Sequence, residues 1–197
     1  MMKFNLTFFS IVLFFGCTTP EIKSELTTFH GGPARTGVYS GESFERFDTF
    51  RWSVKTDGKV FSSPALADGT LFVGSEDENL YAIDIAAGKV NWKFKTGGAI
   101  HSSPAIHESK VFFGSFDGHY YAVDIETGME TWNFKTGGES LYGAIDYFGL
   151  KPEGAFYADP WQYYLSSPLV STVNGAPMVF FGSSDSHVYA LNAEDGH

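Results

Sequence analysis

The sequence has one cysteine, few basic residues and only one long apolar run. Cys17 is the sole cysteine among 197 residues, so the chain cannot form an internal disulfide. Lys and Arg number 13 against 23 Asp and Glu, and the resulting net charge of −10 argues against a nucleic-acid partner, since phosphate contacts require clustered basic residues. Charged residues make up only 18% of the chain, which excludes the high charge typical of disordered proteins.

Aromatic residues and glycine are abundant instead. Aromatic residues make up 17% of the chain, and 22 residues are glycine. This mixture favours short strands joined by tight turns over helices. The composition therefore predicts an all-β protein.

The single long apolar run lies near the N-terminus and ends immediately before the cysteine. It extends from Phe4 to Phe15 and follows Lys3, which is the pattern of a signal peptide and is too short for a transmembrane helix. Gly16-Cys17 at its end resembles a bacterial lipoprotein signal, in which the cysteine is acylated and becomes the mature N-terminus. An ordinary secretory signal with an incidental cysteine is the alternative.

The lipoprotein resemblance implies how the N-terminal part of the chain is organised. We expect a signal peptide at residues 1–16, a lipidated tether at residues 17–28 and a folded body at residues 29–197. The resemblance also implies a protein of the bacterial cell envelope, anchored by lipid to the outer membrane and facing the periplasm, because Thr18-Thr19 lacks the aspartate that retains some lipoproteins at the inner membrane.

Three segments of the body are near-copies of one another. Residues 62–98, 102–138 and 166–197 each begin with Ser-Ser-Pro and continue through an apolar strand ending in Gly-Ser. A period near 40 residues in a strand-rich chain is the signature of a β-propeller, in which four antiparallel strands form each blade. The sequence therefore predicts a β-propeller of four-stranded antiparallel blades.

Several residues recur at fixed positions of this repeat and have packing explanations. We expect the tryptophans to lie between neighbouring blades, where each buries a large aromatic area. Asp77, Asp117 and Asp185 recur in another turn; a metal site is one interpretation, but capping of the turn backbone is favoured. The recurring structural residues are Trp52, Trp92, Trp132, Asp84, Asp124, Gly88 and Gly128.

The spacing of these residues resembles a known family repeat. Ala82-Ile83-Asp84 through Gly88 to Trp92, and Ala122-Val123-Asp124 through Thr127-Gly128 to Trp132, are similar to the pyrroloquinoline-quinone-type β-propeller repeat. The resemblance implies a ring of seven or eight blades that the chain enters on an outer strand, here Phe50 to Lys55. This sequence supplies only about three blades, so we predict an incomplete arc and expect the chain to be the N-terminal portion of a longer protein.

Residues 139–165 interrupt the repeat with an aromatic-rich insertion ahead of the third blade. Because the insertion leads into an inner strand, we expect it on the propeller face near the axis, where insertions often build a binding surface. Packing of the same rings over the blade cores is the alternative. The candidate binding residues are Tyr142, Tyr147, Phe148, Trp161, Tyr163 and Tyr164.

Three functions remain open at this point. The lipid anchor together with the repeat resembles the propeller lipoproteins of the outer-membrane β-barrel assembly machinery, which implies a non-catalytic scaffold that binds envelope proteins through its face loops. A quinoprotein dehydrogenase would need pyrroloquinoline quinone, a calcium site and often a vicinal disulfide; the chain has no Cys-Cys, and His101 is more typical of a structural residue. A carbohydrate-binding or small-ligand-binding propeller is the third. We expect no catalytic residues, no metal and no cofactor.

Overall fold

The computed structural model describes residues 51–137, 141–143, 156–158 and 166–197. These residues form strands and turns, and none of them belongs to a helix long and apolar enough to cross a membrane. The signal peptide, Cys17 and the tether predicted from the sequence lie outside the described residues.

The first blade is an antiparallel sheet of four consecutive strands. Asp68-Gly69 joins its first two strands, and both turn residues have positive φ, 46° and 75°, which suits the twist of a two-residue hairpin. In sequence order, which is also their order in the sheet, the strands are β1 (Ala65–Ala67), β2 (Thr70–Gly74), β3 (Asn79–Asp84) and β4 (Lys89–Lys95).

The second blade repeats this arrangement. Its last two strands pair Ala122 with Trp132, as the last two strands of the first blade pair Ala82 with Trp92, and a β-bulge follows each pair. The strands are β5 (Ala105–His107), β6 (Lys110–Ser115), β7 (His119–Asp124) and β8 (Glu130–Lys135), again in sheet order.

Two smaller sheets follow. The insertion contains a two-stranded antiparallel pair, β9 (Leu141–Gly143) with β10 (Phe156–Ala158). The third blade consists of β11 (Leu169–Val173), β12 (Ala176–Gly182) and β13 (Val188–Asn192), which form a three-stranded antiparallel sheet in that order. The predicted all-β class, with four-stranded antiparallel blades in a partial propeller, is confirmed.

The hydrophobic cores lie between blades. Phe72 and Leu80 of the first blade pack with Val111 and Phe113 of the second, and all four are fully buried. Between the second and third blades, the ring of Tyr120 stacks on Phe181 with centroids 3.5 Å apart. Since burying one such side chain contributes roughly 1.5–3 kcal/mol, each blade is stabilised mainly by its neighbours.

Residues 51–55 depart from the predicted outer strand. No strand is assigned to them, because a strand requires a hydrogen-bonded partner and none of the described residues pairs with this segment. Its side chains still alternate in exposure, and Trp52 and Val54 pack against Tyr81 and Ile83 of the first blade. The segment therefore lies where an outer strand of a preceding blade would lie.

Candidate functional site

Each repeating tryptophan contacts the turn that follows the third strand of the next blade. Trp92 Nε1 donates a hydrogen bond to the carbonyl of Ile125 at 3.1 Å, and Trp132 Nε1 donates to Ala193 at the same distance. Trp52 Nε1 donates to the carbonyl of Ile85 at 2.8 Å. The same hydrogen bond is thus made three times, once for each blade that is contacted.

A glycine with positive φ lies beneath each of these indole rings. A Cβ atom on Gly128, where φ is 70°, would fall 2.7 Å from the ring of Trp92. A Cβ atom on Gly88 would likewise meet the ring of Trp52, and a Cβ atom on Gly196 would meet the ring of Trp132. Both the backbone conformation and the close ring contact require glycine at these positions.

The aspartate four residues before Gly88 and before Gly128 shapes the turn, and Asn192 takes its place before Gly196. The carboxylate of Asp124 accepts hydrogen bonds from the backbone and hydroxyl of Thr127, at 2.8 and 2.7 Å, and from the backbone of Glu126. The backbone hydrogen bond from Thr127 is the main cause that lowers the pKa of Asp124. Asp84 accepts from the backbone of Ala87 at 2.6 Å. These carboxylates hold the surface on which the tryptophans pack.

A second set of aspartates ties neighbouring blades together. The Oδ2 of Asp185 accepts hydrogen bonds from the backbone of Gly137 at 2.7 Å and from the Tyr189 hydroxyl at 2.6 Å, while its Oδ1 caps the backbone of His187. Burial favours a higher pKa for Asp185, but these hydrogen bonds outweigh it and hold the pKa well below its usual range.

The same pattern of hydrogen bonds occurs in the other two blades. The carboxylate of Asp77 accepts from the Asp57 backbone and the Tyr81 hydroxyl. The carboxylate of Asp117 accepts from the Gly97 backbone and the Tyr121 hydroxyl. Burial and the aspartate hydrogen bond raise the pKa of Tyr81 and of Tyr121. The prediction that these aspartates cap turns is confirmed.

Serine side chains connect the blades at the start of β5 and β11, a feature that the sequence analysis missed. The backbone of Ser63 donates to the hydroxyl of Ser103 at 2.9 Å, and the backbone of Ser103 donates to the hydroxyl of Ser167 at 3.0 Å. The signal was present as paired serines before proline in every repeat, but a recurring motif alone does not show that its side chains reach the next blade.

His101 lies among aromatic rings beside this serine network. Its side chain is 8% exposed, and its ring centroid is 4.7 Å from Phe61 and 5.1 Å from Phe116. Its Nε2 lies 3.5 Å from a carboxylate oxygen of Glu76, but the geometry is not that of a hydrogen bond.

An acidic cleft of about 570 Å³ opens between the first and second blades. It is lined by Ala67, Asp68, Thr70, Phe72, Glu108, Ser109, Asp124, Ile125 and Glu126. Asp124 already binds its own turn, and among the described residues no three His, Cys, Asp or Glu side chains form a group that could hold a metal ion.

The aromatic residues predicted as a binding surface fall largely outside the described structure. The backbone of Tyr142 belongs to β9 and pairs with Tyr157 of β10. Tyr147, Phe148, Trp161, Tyr163 and Tyr164 lie outside the described residues, as does Cys17.

Comparison with known proteins places these repeats in context. A family model described as outer membrane protein assembly factor BamB matches residues 44–145. No curated protein matches the sequence.

The solved structures that share the fold include an assembly factor and a dehydrogenase. The crystal structure of BamB from Moraxella catarrhalis aligns with a TM-score of 0.57 and 17% identity, over 75% of this chain and 39% of that one. Quinohemoprotein alcohol dehydrogenase from Comamonas testosteroni aligns with a TM-score of 0.59 and 19% identity, over 88% of this chain and 26% of that one. This chain therefore spans well under half the length of either protein.

The described residues do not fit a calcium and quinone site of the kind that the repeat resemblance implies for dehydrogenases. The carboxylate oxygens of the recurring aspartates Asp77, Asp117 and Asp185 accept hydrogen bonds from backbone amides and from tyrosine hydroxyls rather than converging on one point. The sequence also has no second cysteine with which to form a vicinal disulfide.

Proposed function

Because this chain belongs to the family of the outer membrane protein assembly factor BamB, we propose that it is a non-catalytic propeller scaffold of the bacterial cell envelope that binds other envelope proteins. The observation that carries this proposal is the family match over residues 44–145, which covers both complete blades. A propeller presents rigid loops on its faces, and such loops are the usual place for a binding surface.

The use of the recurring polar side chains supports a binding role over a catalytic one. Asp117 and Asp185 bind backbone amides and tyrosine hydroxyls, and Ser103 binds the neighbouring blade. A catalytic carboxylate or hydroxyl has to face a substrate, whereas these groups are occupied in joining blades. The partner surface then comes from residues outside the repeat, and the aromatic insertion is the leading candidate because Tyr and Trp dominate protein interfaces.

The N-terminal sequence completes the proposal. Cys17 carries the lipid, the signal peptide is removed, and the propeller faces the periplasm from the outer membrane. Two acyl chains anchor a protein stably where one binds only marginally, so lipidation alone is sufficient for retention. Replacing Cys17 with serine is expected to abolish incorporation of labelled palmitate and to release the protein from the membrane fraction.

The scaffold role is tested by crosslinking in intact cells. A photoreactive residue at Trp161 or Tyr163 is expected to crosslink to a defined envelope protein, and the same residue at Met129, which is 69% exposed on a blade turn, serves as the matched control. Equal crosslinking from all three positions would contradict a surface located in the insertion.

An enzymatic role is tested separately. The purified protein is incubated with pyrroloquinoline quinone, calcium, an alcohol and an artificial electron acceptor. We expect no reduction of the acceptor above a heat-denatured control. Turnover that requires both the quinone and calcium would replace the scaffold proposal with a quinoprotein dehydrogenase.

A further inference from the structure

An ion pair joins the second and third blades at the end of the sheets that carries the β5–β6 hairpin. Lys110, the first residue of β6, reaches Glu194 in the turn after β13, and its Nζ lies 2.6 Å from a carboxylate oxygen. The Lys110 side chain is only 14% exposed. Because a charged group that is buried to this extent needs a compensating charge, the carboxylate of Glu194 forms a cation site at this blade boundary.

The boundary between the first and second blades has the same carboxylate but lacks the lysine. Thr70 begins the second strand of its blade as Lys110 does, and Glu126 lies in the turn after the third strand as Glu194 does. The side chain of Thr70 is short and uncharged. Both Thr70 and Glu126 line the acidic cleft of about 570 Å³. The cleft therefore lies where, at the other boundary, a lysine binds a glutamate.

The residues that line the cleft carry carboxylates and no basic group. Asp68 and Glu108 lie on the hairpins of the two blades, and Asp124 and Glu126 lie in one turn of the second blade. Asp124 stands where the third blade has Asn192, so a second difference between the two boundaries also makes this one more negative. A cleft lined by charges of one sign concentrates the electrostatic field and attracts ions of the opposite sign.

The size and lining of the cleft favour a long basic side chain over a metal ion. Its volume lies within the range of roughly 300–1,000 Å³ that is typical of sites enclosing small ligands. Ala67 and Ile125 form an apolar part of the wall, against which methylene groups can pack. Among the described residues, no three His, Cys, Asp or Glu side chains are grouped to hold a metal ion. Lysine and arginine combine an apolar stem with a charged end, which matches this lining.

We propose that this cleft binds a lysine or arginine side chain from an exposed segment of a protein partner. The charged end lies beside Glu126, as the Nζ of Lys110 lies beside Glu194, and the stem packs along Ile125. The cleft is at the end of the blades that carries the β1–β2 and β5–β6 hairpins, whereas β8, which precedes the insertion, ends at the opposite end of its sheet. The site is therefore separate from the partner surface proposed in the insertion, and it does not depend on that proposal.

Binding is tested with a defined peptide. The full chain in mild detergent is titrated into acetyl-Ala-Lys-Ala-Lys-Ala-amide that carries a neutral fluorophore, and the fluorescence anisotropy is followed. The lysine peptide should bind about tenfold more tightly than the same peptide with norleucine in place of lysine. Glu126→Gln should weaken binding of the lysine peptide about threefold, since this carboxylate is exposed. Thr70→Lys, which supplies the missing amine from the chain itself, should weaken it about tenfold.

Two control variants make the same changes of charge outside the cleft. Glu130→Gln and Val173→Lys alter exposed residues that do not line it, and both should leave the affinity for the lysine peptide unchanged. Equal binding of the lysine and norleucine peptides, or an equal effect of the control variants and the cleft variants, would overturn the proposal. Binding of putrescine as tight as that of the peptide would show that the ligand is a free diamine, and would overturn the assignment to a protein partner.

Urea unfolding tests the cation site without any ligand. Thr70→Lys should raise the urea midpoint, because it adds at this boundary the ion pair that Lys110 and Glu194 form at the other. Glu126→Gln in the Thr70→Lys background should remove the gain, and Lys110→Met or Glu194→Gln should lower the midpoint of the unmodified chain. If the effect of Thr70→Lys does not depend on Glu126, a basic side chain in the cleft does not reach that carboxylate, and the proposal fails.

Discussion

Removal of the Trp132 indole tests whether the recurring tryptophans hold the blades together. The side chain is 9% exposed, lies 5.7 Å from the ring of Phe112 between centroids, and covers Gly196 of the next blade. Truncation of a buried tryptophan to alanine costs about 3–5 kcal/mol through lost burial and the cavity that remains. For a protein of this size each kcal/mol shifts the melting temperature by roughly 2–4 °C. Trp132→Ala should therefore lower the melting temperature by about 6–20 °C.

One further variant isolates the hydrogen bond of the Trp132 indole, and a second serves as an exposed control. Trp132→Phe keeps much of the apolar contact but removes the hydrogen bond to the carbonyl of Ala193, which should cost about 1–3 kcal/mol because that acceptor is left buried. Met129→Ala, at a residue 69% exposed on the preceding turn, should change stability by less than about 0.5 kcal/mol. Stability is measured by urea unfolding followed with far-UV circular dichroism. A loss below about 1 kcal/mol for Trp132→Ala would refute the inter-blade role.

Two other predictions follow from the same contacts. Gly128→Ala should destabilise the protein more than Gly118→Ala in urea unfolding, because both have positive φ but only Gly128 lies against an indole ring; equal losses would show that the ring contact does not matter. The pKa of Asp185 is lowered in the folded state, so its stabilisation is present above the unfolded pKa of about 4 and is lost as the pH falls below it. Asp185→Asn should therefore flatten the decline in the urea midpoint between neutral and acidic pH, and an unchanged slope would contradict the assignment.

The repeat made the blades predictable from sequence, since spacing alone locates strands and turns when each unit recurs. The second blade illustrates this, because its repeat predicts an apolar strand ending in Gly-Ser, and β6 ends at Gly114-Ser115. The bulge after Ala122 was not predicted: Ala122 pairs with Trp132 and Val123 pairs with Glu130, so Thr131 is the extra residue of β8. Nor did the sequence show that residues 51–55 have no strand partner within the described structure, since pairing depends on what lies beside a segment.

The candidate site was less predictable than the fold for a physical reason. The repeat selects residues that join one blade to the next, so the side chains that recur most clearly, such as Trp92, Asp117 and Ser103, are those with structural partners. A surface that recognises one partner cannot be repeated in every blade, because the partner is not repeated. Its residues are therefore expected in segments without a periodic signal, and the insertion at residues 139–165 is the segment that we propose.

This separation also explains why the same architecture accommodates both an assembly factor and an alcohol dehydrogenase. The contacts between blades use a tryptophan, a glycine with positive φ and an aspartate or asparagine cap, whose described hydrogen bonds are made within the repeats. Chemistry and recognition can then change in the loops without loss of the ring. A substitution at an aspartate that joins blades, such as Asp185, should consequently reduce partner binding only in proportion to the loss of folded protein. A substitution in the partner surface should instead reduce partner binding while the urea unfolding curve stays unchanged. Measuring partner crosslinking and urea unfolding on the same variants distinguishes the two kinds of residue.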